Sequence, residues 1–130
     1  LVLFSIMHEK EIGEKHGRKA LRWVLRQTAQ SVDNVLRRVD MFGRWNSGKF
    51  LLILPVAEKS LLNDIFRRIE RALRKADFGV VPDVCIELRW SCWQAGESAE
   101  SLIARTQAKH VMLSLSPGDA ENVVPMIKSL

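Results

Sequence analysis

The sequence lacks several features that by themselves would define a class of protein. It contains no apolar run of about 20 residues, the length that a membrane-spanning helix needs, and no signal-peptide pattern. Its two cysteines, Cys85 and Cys92, lie on one predicted strand with opposite parity, so they face opposite sides and cannot form a disulfide. We expect two reduced, buried thiols, as is typical of a cytoplasmic protein.

Metal-binding side chains are also scarce. The three histidines, His8, His16 and His110, match no zinc-ligand spacing, so neither a structural metal nor a cofactor is expected. The net charge of +5 permits an anionic partner but does not choose between nucleotide, nucleic acid and membrane surface. We expect a single domain over residues 1–130 that is part of a longer protein, because the chain starts directly on an apolar run.

The spacing of apolar residues predicts the order strand, helix, hairpin, helix, strand, helix. The first strand is a continuous apolar run, which indicates a central strand that is buried on both faces. The last helix is predicted to begin after an N-cap at Ser98, and the tail 117–130 is not assigned. The predicted ranges are 1–7, 17–36, 40–45 with 49–55, 58–75, 83–93 and 98–111.

This order predicts an α+β sandwich, with a mostly antiparallel, ferredoxin-like sheet covered by helices. The strand over 83–93 alternates, and its inward stripe is predicted to include Trp90 and Cys92. We expect Trp45 and Trp90 to pack in the core and Trp93 to be exposed.

A helix, an Arg-x-x-Asp sequence, a strand, a four-residue turn followed by Phe and a second strand ending in Pro together resemble the GGDEF domain, the diguanylate cyclase module. The resemblance covers about residues 1–116, from "LVLFSIM" through "IGEKHG" to "SAESLIART". It implies a nucleotidyl-cyclase-like fold in a bacterial, cytoplasm-facing signalling module, either free or attached to a membrane protein. Where active members read Gly-Gly-Asp/Glu-Glu-Phe, this chain has Asn46, Ser47, Gly48, Lys49 and Phe50.

The family joins two GTP molecules and uses carboxylates to hold divalent metal. The resemblance places the two metal carboxylates at Ser5 and Gly48, with Lys49 at the neighbouring acidic position. The residues that read guanine fall at Gly13 and Arg22. We therefore predict a degenerate domain with no metal site, no catalytic residue and no synthesis of cyclic di-GMP.

The turn Asn46–Phe50 has two interpretations. As a simple hairpin turn, its Asn-Ser-Gly composition suits positive φ angles, and Lys49 is a solvated charge near the sheet edge. As a rescued GTP site, Lys49 would contact a phosphate.

The family also has an inhibitory site that binds the product, cyclic di-GMP. Its Arg-x-x-Asp signature corresponds to Arg37 and Asp40, six residues before the turn, and its third contributor corresponds to Arg68. Arginine pairs with guanine edges and phosphates, and a carboxylate accepts hydrogen bonds from base donors. Arg67 and Arg71 are candidates for further phosphate contacts. The alternative is that Arg37 and Asp40 form an ordinary i,i+3 surface ion pair.

The resemblance thus implies a cyclic di-GMP receptor that regulates a linked domain, a second copy or a partner protein, in control of exopolysaccharide, biofilm adhesion or motility. One alternative is an interaction or dimerisation scaffold that binds no nucleotide. Nucleic-acid binding by the ferredoxin-like sheet is not expected, because the aromatic strand motif of RNA-binding sheets is absent.

Overall fold

Residues 1–55, 59–106 and 110–115 are described by a computed structural model. The described strands are β1 (Val2–Ile6), β2 (Met41–Asn46), β3 (Lys49–Ile53), β4 (Cys85–Trp90) and β5 (His110–Ser114), and the helices are α1 (Glu9–His16), α2 (Arg18–Asp33), α3 (Lys59–Lys75) and α4 (Ala99–Thr106). No described helix has the length and apolar character to cross a membrane.

The five strands form one antiparallel sheet in the order β2-β3-β1-β4-β5. Strand β1 lies at the centre, where Val2, Leu3, Phe4 and Ile6 are each at most 5 % exposed. The prediction of a central strand from a continuous apolar run is confirmed, as are the hairpin of β2 and β3 and the α+β class.

Helices α2 and α3 run antiparallel to each other. Both β3 and β4 run antiparallel to β1. Helix α2 therefore runs back against the direction of β1, from the end of β1 toward the start of β2. Helix α3 runs in the direction of β1, from the end of β3 toward the start of β4. A hydrogen bond from Trp23 Nε1 to the carbonyl oxygen of Asp77, 2.9 Å, joins the first half of α2 to the residues just after α3. By helix rise, the end of α2 is therefore level with the middle of α3.

The core lies between these helices and one face of the sheet. The apolar stripe predicted for the second helix is confirmed, because Ile65, Phe66, Ile69 and Leu73 are at most 3 % exposed. The opposite face of the sheet leaves large apolar side chains exposed, among them Met41, Ile53 and Met112.

The predicted helix over 17–36 is shorter and has a companion. Helix α2 ends at Asp33, since the residues that follow form successive turns. Helix α1 was not predicted, because Ile12 is its one buried residue and it has no apolar stripe. Gly17, with φ of 92°, separates α1 from α2.

The prediction that the last helix extends to Val111 was wrong. The N-cap is confirmed by a hydrogen bond from the N–H of Ser101 to Ser98 Oγ, 3.1 Å, but α4 ends at Thr106. Val111 belongs to β5 and pairs with Leu88 of β4, a contact between distant parts of the chain that local spacing does not reveal. The tail 117–130 lies outside the described residues.

Two further predictions fail at strand ends. Strand β4 stops at Trp90, so the alternation no longer applies to Cys92, which is exposed rather than buried. Trp45 is 41 % exposed rather than in the core, because it lies at a register shift on the outermost strand. Trp90, 9 % exposed, and Trp93, 63 % exposed, are placed as predicted.

Candidate ligand-binding site

The Arg-x-x-Asp sequence forms a closed turn between α2 and β2. The backbone N–H of Arg37 donates to Asp40 Oδ2 and its Nη2 donates to Oδ1, both at 2.7 Å. Arg37 Nε lies 3.2 Å and 3.3 Å from the two carboxylate oxygens. The N–H of Asp40 in turn donates to the carbonyl oxygen of Arg37 at 3.1 Å. One residue thus binds both oxygens of the carboxylate, and the carboxylate fixes the orientation of the guanidinium.

The two side chains differ in exposure. The Asp40 side chain is 0 % exposed, whereas that of Arg37 is 29 % exposed. Among the described residues, Nη1 of Arg37 has no hydrogen-bond partner. In this conformation Asp40 fixes the orientation of Arg37, whose guanidinium remains part-exposed.

The charge on Asp40 is stabilised by its neighbour. Burial alone raises the pKa of a carboxyl group, because it disfavours the charged form. The side-chain and backbone hydrogen bonds from Arg37, together with its positive charge, outweigh that effect and hold the pKa of Asp40 below its ordinary value. The carboxylate therefore stays ionised at neutral pH.

Helix geometry estimates the level of Arg68 along α3 relative to this turn. Trp23 of α2 is level with Asp77, just past α3. Both helices rise about 1.5 Å per residue, so the last turn of α2, ten residues after Trp23, is level with the part of α3 near Arg68. The turn that holds Arg37 follows directly from that end of α2.

Helical spacing also places Arg68 on a different flank of α3 from Arg74. Arg74, on the other flank, donates to the carbonyl oxygen of Ser114 in β5, at the far edge of the sheet. Six residues at 100° each separate Arg68 from Arg74 by about 120° around the helix, which directs Arg68 away from β5.

Arg67, Arg68 and Arg71 are all exposed. Within the described ranges, no hydrogen bond or ion pair joins any of them to Arg37 or Asp40. The structure therefore forms the predicted pair, while the participation of the three α3 arginines stays a prediction.

Ser5 and Gly48, the positions to which the resemblance assigns metal carboxylates, meet at the other end of the sheet. Ser5 pairs with Lys49, and the N–H of Ile6 donates to the carbonyl oxygen of Gly48 at 2.8 Å. Gly48 has φ of 68°, as expected for a tight hairpin turn.

Glu9, which sequence reasoning missed, reaches into this turn. Its Oε1 accepts a hydrogen bond from Ser47 Oγ at 2.8 Å. Its Oε2 lies so close to Gly48 that a Cβ added there would collide with it. The sequence signal was weak, since Glu9 begins the helix that lacks an apolar stripe. The carboxylate of Glu9 thus lies beside Gly48, the position at which the resemblance expects a metal-binding carboxylate in active family members.

The residues at this end do not fit a divalent metal of the kind the family uses. Ser5 and Gly48 supply no carboxylate, Lys49 adds a positive charge, and among the described residues no group of three or more His, Cys, Asp or Glu could hold a metal. A cavity of about 480 Å³ beside the turn is lined by two acids, Glu9 and Glu14, and two bases, Lys10 and Arg18. Their charges balance, so the lining gives a triphosphate no net attraction.

The five-stranded antiparallel sheet and its helices define the cyclase-like α+β class. A family model described as "Diguanylate cyclase, GGDEF domain" matches residues 1–113, and the chain therefore belongs to the GGDEF domain family. No curated protein matches the chain.

Solved structures support the same fold. The chain is 21 % identical to the diguanylate cyclase SiaD of Pseudomonas aeruginosa, solved with its activator SiaC, with a TM-score of 0.71 over 82 % of this chain and 42 % of that one. It is 18 % identical to the GGDEF domain of DgcB from Caulobacter crescentus, solved with c-di-GMP, with a TM-score of 0.69 over 82 % of this chain and 66 % of that one. An EAL/GGDEF domain protein from M. capsulatus is 23 % identical, with a TM-score of 0.65 over 82 % of this chain and 72 % of that one. The chain thus spans less than half the length of the SiaD chain.

Proposed function

We propose that this domain is a catalytically inactive GGDEF domain that binds cyclic di-GMP at Arg37, Asp40 and Arg68, and that the bound ligand regulates a linked domain or a partner protein. The observation that carries the proposal is the Arg37–Asp40 turn. A fully covered carboxylate holds a part-exposed guanidinium in one orientation, and such preorganisation reduces the entropy lost on binding.

The chemistry of this turn suits a guanine dinucleotide. A guanidinium can donate in parallel to guanine O6 and N7 or to a phosphate. Because Asp40 is engaged by Arg37 in the free domain, its proposed role is to position Arg37, and Arg68 supplies the second cation from α3. Arg67 and Arg71 add positive charge to the same helix. The related DgcB domain was solved with c-di-GMP, which makes this ligand class reasonable for the fold.

The proposed loss of cyclic di-GMP synthesis rests on the residues at the end of the sheet that carries the β2–β3 hairpin. Neither Ser5 nor Gly48 has a carboxylate to ligate a metal, and Lys49 would repel one. The same end holds Glu9 against the turn. We therefore expect no turnover of GTP.

Isothermal titration calorimetry with cyclic di-GMP tests the proposal. The wild-type domain is expected to bind with micromolar or tighter affinity, and Arg37→Ala or Arg68→Ala is expected to weaken binding by about tenfold or more, because each removes charge-assisted hydrogen bonds. Arg38→Ala is the matched control, since Arg38 is exposed and lies inside the same turn. The affinity of the Arg38→Ala variant for cyclic di-GMP should remain close to that of the wild type.

Three results would contradict the proposal. Absence of heat with cyclic di-GMP would favour an interaction scaffold that binds no nucleotide. Equal weakening by Arg38→Ala would indicate non-specific charge attraction. Formation of cyclic di-GMP from GTP and Mg²⁺ would show that the domain is an enzyme.

A further inference from the structure

A basic groove runs between α2 and the outermost strand β2, on the side of α2 that is turned away from α3. Its volume is about 680 Å³, and its floor includes Phe42 and Phe50, whose rings stack with centroids 5.5 Å apart. Arg22, Arg26 and Arg44 line the groove. Within the described ranges none of the three arginines has a hydrogen bond or an ion pair.

The charge of the groove is therefore largely uncompensated. Asp33 at one end is its single acidic lining residue. Arg44 lies over the Phe50 ring, with its guanidinium carbon 6.0 Å from the centroid, a cation–π contact that leaves its N–H groups available. The groove thus offers three sets of guanidinium donors to an anionic partner.

Strand β2 bounds this groove with an open backbone edge. It is the first strand in the sheet order, with β3 on one side and no described strand on the other. Five of its six residues are exposed, and a Cβ added to Gly43 would meet nothing within 4 Å. Unpaired N–H and C=O groups on such an edge can accept an added strand.

The other face of β2 is apolar. Met41 is 66 % exposed and Trp45 is 41 % exposed. With Leu51 and Ile53 they form most of the lining of a shallow cavity of about 300 Å³, whose rim also includes Arg44. A strand placed beside β2 would direct alternate side chains to the two faces of the sheet. One set would enter the basic groove and the other set would cover the apolar cavity.

We propose that β2 binds an extended acidic segment of a partner protein as an additional antiparallel or parallel strand, in which acidic side chains alternate with apolar ones. The acidic side chains pair with Arg22, Arg26 and Arg44, and the apolar ones cover Met41 and Trp45. Backbone pairing supplies affinity, and the alternation supplies specificity.

Two other occupants fit less well. A second copy paired through β2 would bring two sets of three unpaired arginines together, and like charges in close contact are unfavourable. Single-stranded nucleic acid needs aromatic faces for stacking, but Phe50 is 4 % exposed and stacked on Phe42. A peptide also uses the backbone edge and the apolar face, which a nucleotide would leave unused.

The test is fluorescence anisotropy with a short labelled peptide of alternating glutamate and valine. A peptide of the same composition, with all glutamates before all valines, controls for charge alone. The alternating peptide should bind, and the block peptide should bind several-fold more weakly. The double variant Arg22→Glu with Arg26→Glu should weaken binding of the alternating peptide by more than about tenfold. The double variant Lys15→Glu with Lys19→Glu makes the same change in net charge at exposed positions outside the groove. At an ionic strength that screens long-range charge, its binding of the alternating peptide should stay within about twofold of the wild type.

Hydrogen–deuterium exchange locates the contact. Bound peptide should slow exchange at β2 amides, because strand pairing protects them. Equal binding of the two peptides, equal losses in the two double variants, unprotected β2, tighter binding of a single-stranded RNA oligonucleotide, or self-association through β2 would each overturn the proposal. Arg37→Ala should not affect the peptide, so this inference and the cyclic di-GMP proposal can fail independently.

Discussion

Replacing Gly48 with alanine should destabilise the domain through two separable effects. Gly48 has φ of 68°, a conformation that costs an L-residue about 1–2 kcal/mol. The added Cβ would also collide with the Glu9 carboxylate. The carbonyl oxygen of Gly48 accepts from Ile6 N–H at 2.8 Å, which limits movement of the turn.

The side chain of Glu9 must then move, and its hydrogen bond with Ser47 is lost. Such a bond contributes about 0.5–1.5 kcal/mol, with the lower end appropriate to an exposed pair. The two effects together come to about 2 kcal/mol. For a domain of this size we expect the melting temperature to fall by roughly 5–10 °C.

Urea unfolding followed by tryptophan fluorescence would measure this change, and a double-mutant cycle would separate its parts. In a Glu9→Ala background, Gly48→Ala should cost only the backbone contribution, since the collision and the hydrogen bond are already absent. Gly96→Ala is a matched control for that contribution, because Gly96 has φ of 80° and nothing lies within 4 Å of an added Cβ.

The same cost of Gly48→Ala in both backgrounds would refute the assignment of Glu9 to the turn. A change below about 0.5 kcal/mol, the size typical of unremarkable surface substitutions, would refute the backbone argument as well. The same reasoning predicts that Gly48→Glu, which restores a family carboxylate, loses stability without gaining cyclase activity, because Ser5 and Lys49 remain.

Other parts of the structure give further predictions. Ile69 is fully buried on α3, so Ile69→Ala should lower the free energy of unfolding by about 2–5 kcal/mol, measured by urea unfolding; a smaller loss would mean that α3 packs less closely than described. Hydrogen bonding from Arg105 lowers the pKa of Glu97 to about 2, so its stabilisation is present above the unfolded-state pKa of about 4.3 and is lost as the pH falls toward 2. The difference in free energy of unfolding between wild type and Glu97→Gln should therefore become smaller as the pH is lowered, and a difference that is independent of pH would contradict this. Cys92 is exposed, whereas burial and then the charge of Glu87 raise the pKa of the half-buried Cys85; a thiol reagent near neutral pH should modify Cys92 first, and the reverse order by mass spectrometry would contradict the placement.

Much of the fold could be predicted from local pattern alone. The continuous apolar run of β1 and the stripe on α3 reflect burial that the sequence encodes directly, since a side-chain period of 2 or 3.6 shows which faces avoid water. The hairpin was predicted from Asn and Gly in a short link between apolar runs. Helix α1 was missed because its single buried residue, Ile12, produces no periodicity.

The candidate sites also combine contacts that the local sequence specifies with contacts that depend on tertiary packing. The spacing between Arg37 and Asp40 is short enough for the sequence to specify their contact, because they belong to one turn. The position of Arg68 depends on how α2 packs against α3. Glu9 enters the hairpin only because β1 and β3 are neighbours in the sheet.

The sequence by itself determined which residues are apolar and where the hairpin turns, because these are properties of neighbouring residues. The tertiary structure alone decided that Glu9 meets Gly48, that Val111 joins a strand, and that β2 lies at the edge beside a basic groove. Those features depend on pairing between segments far apart in the chain, where the gain from burial and backbone hydrogen bonds outweighs local preference.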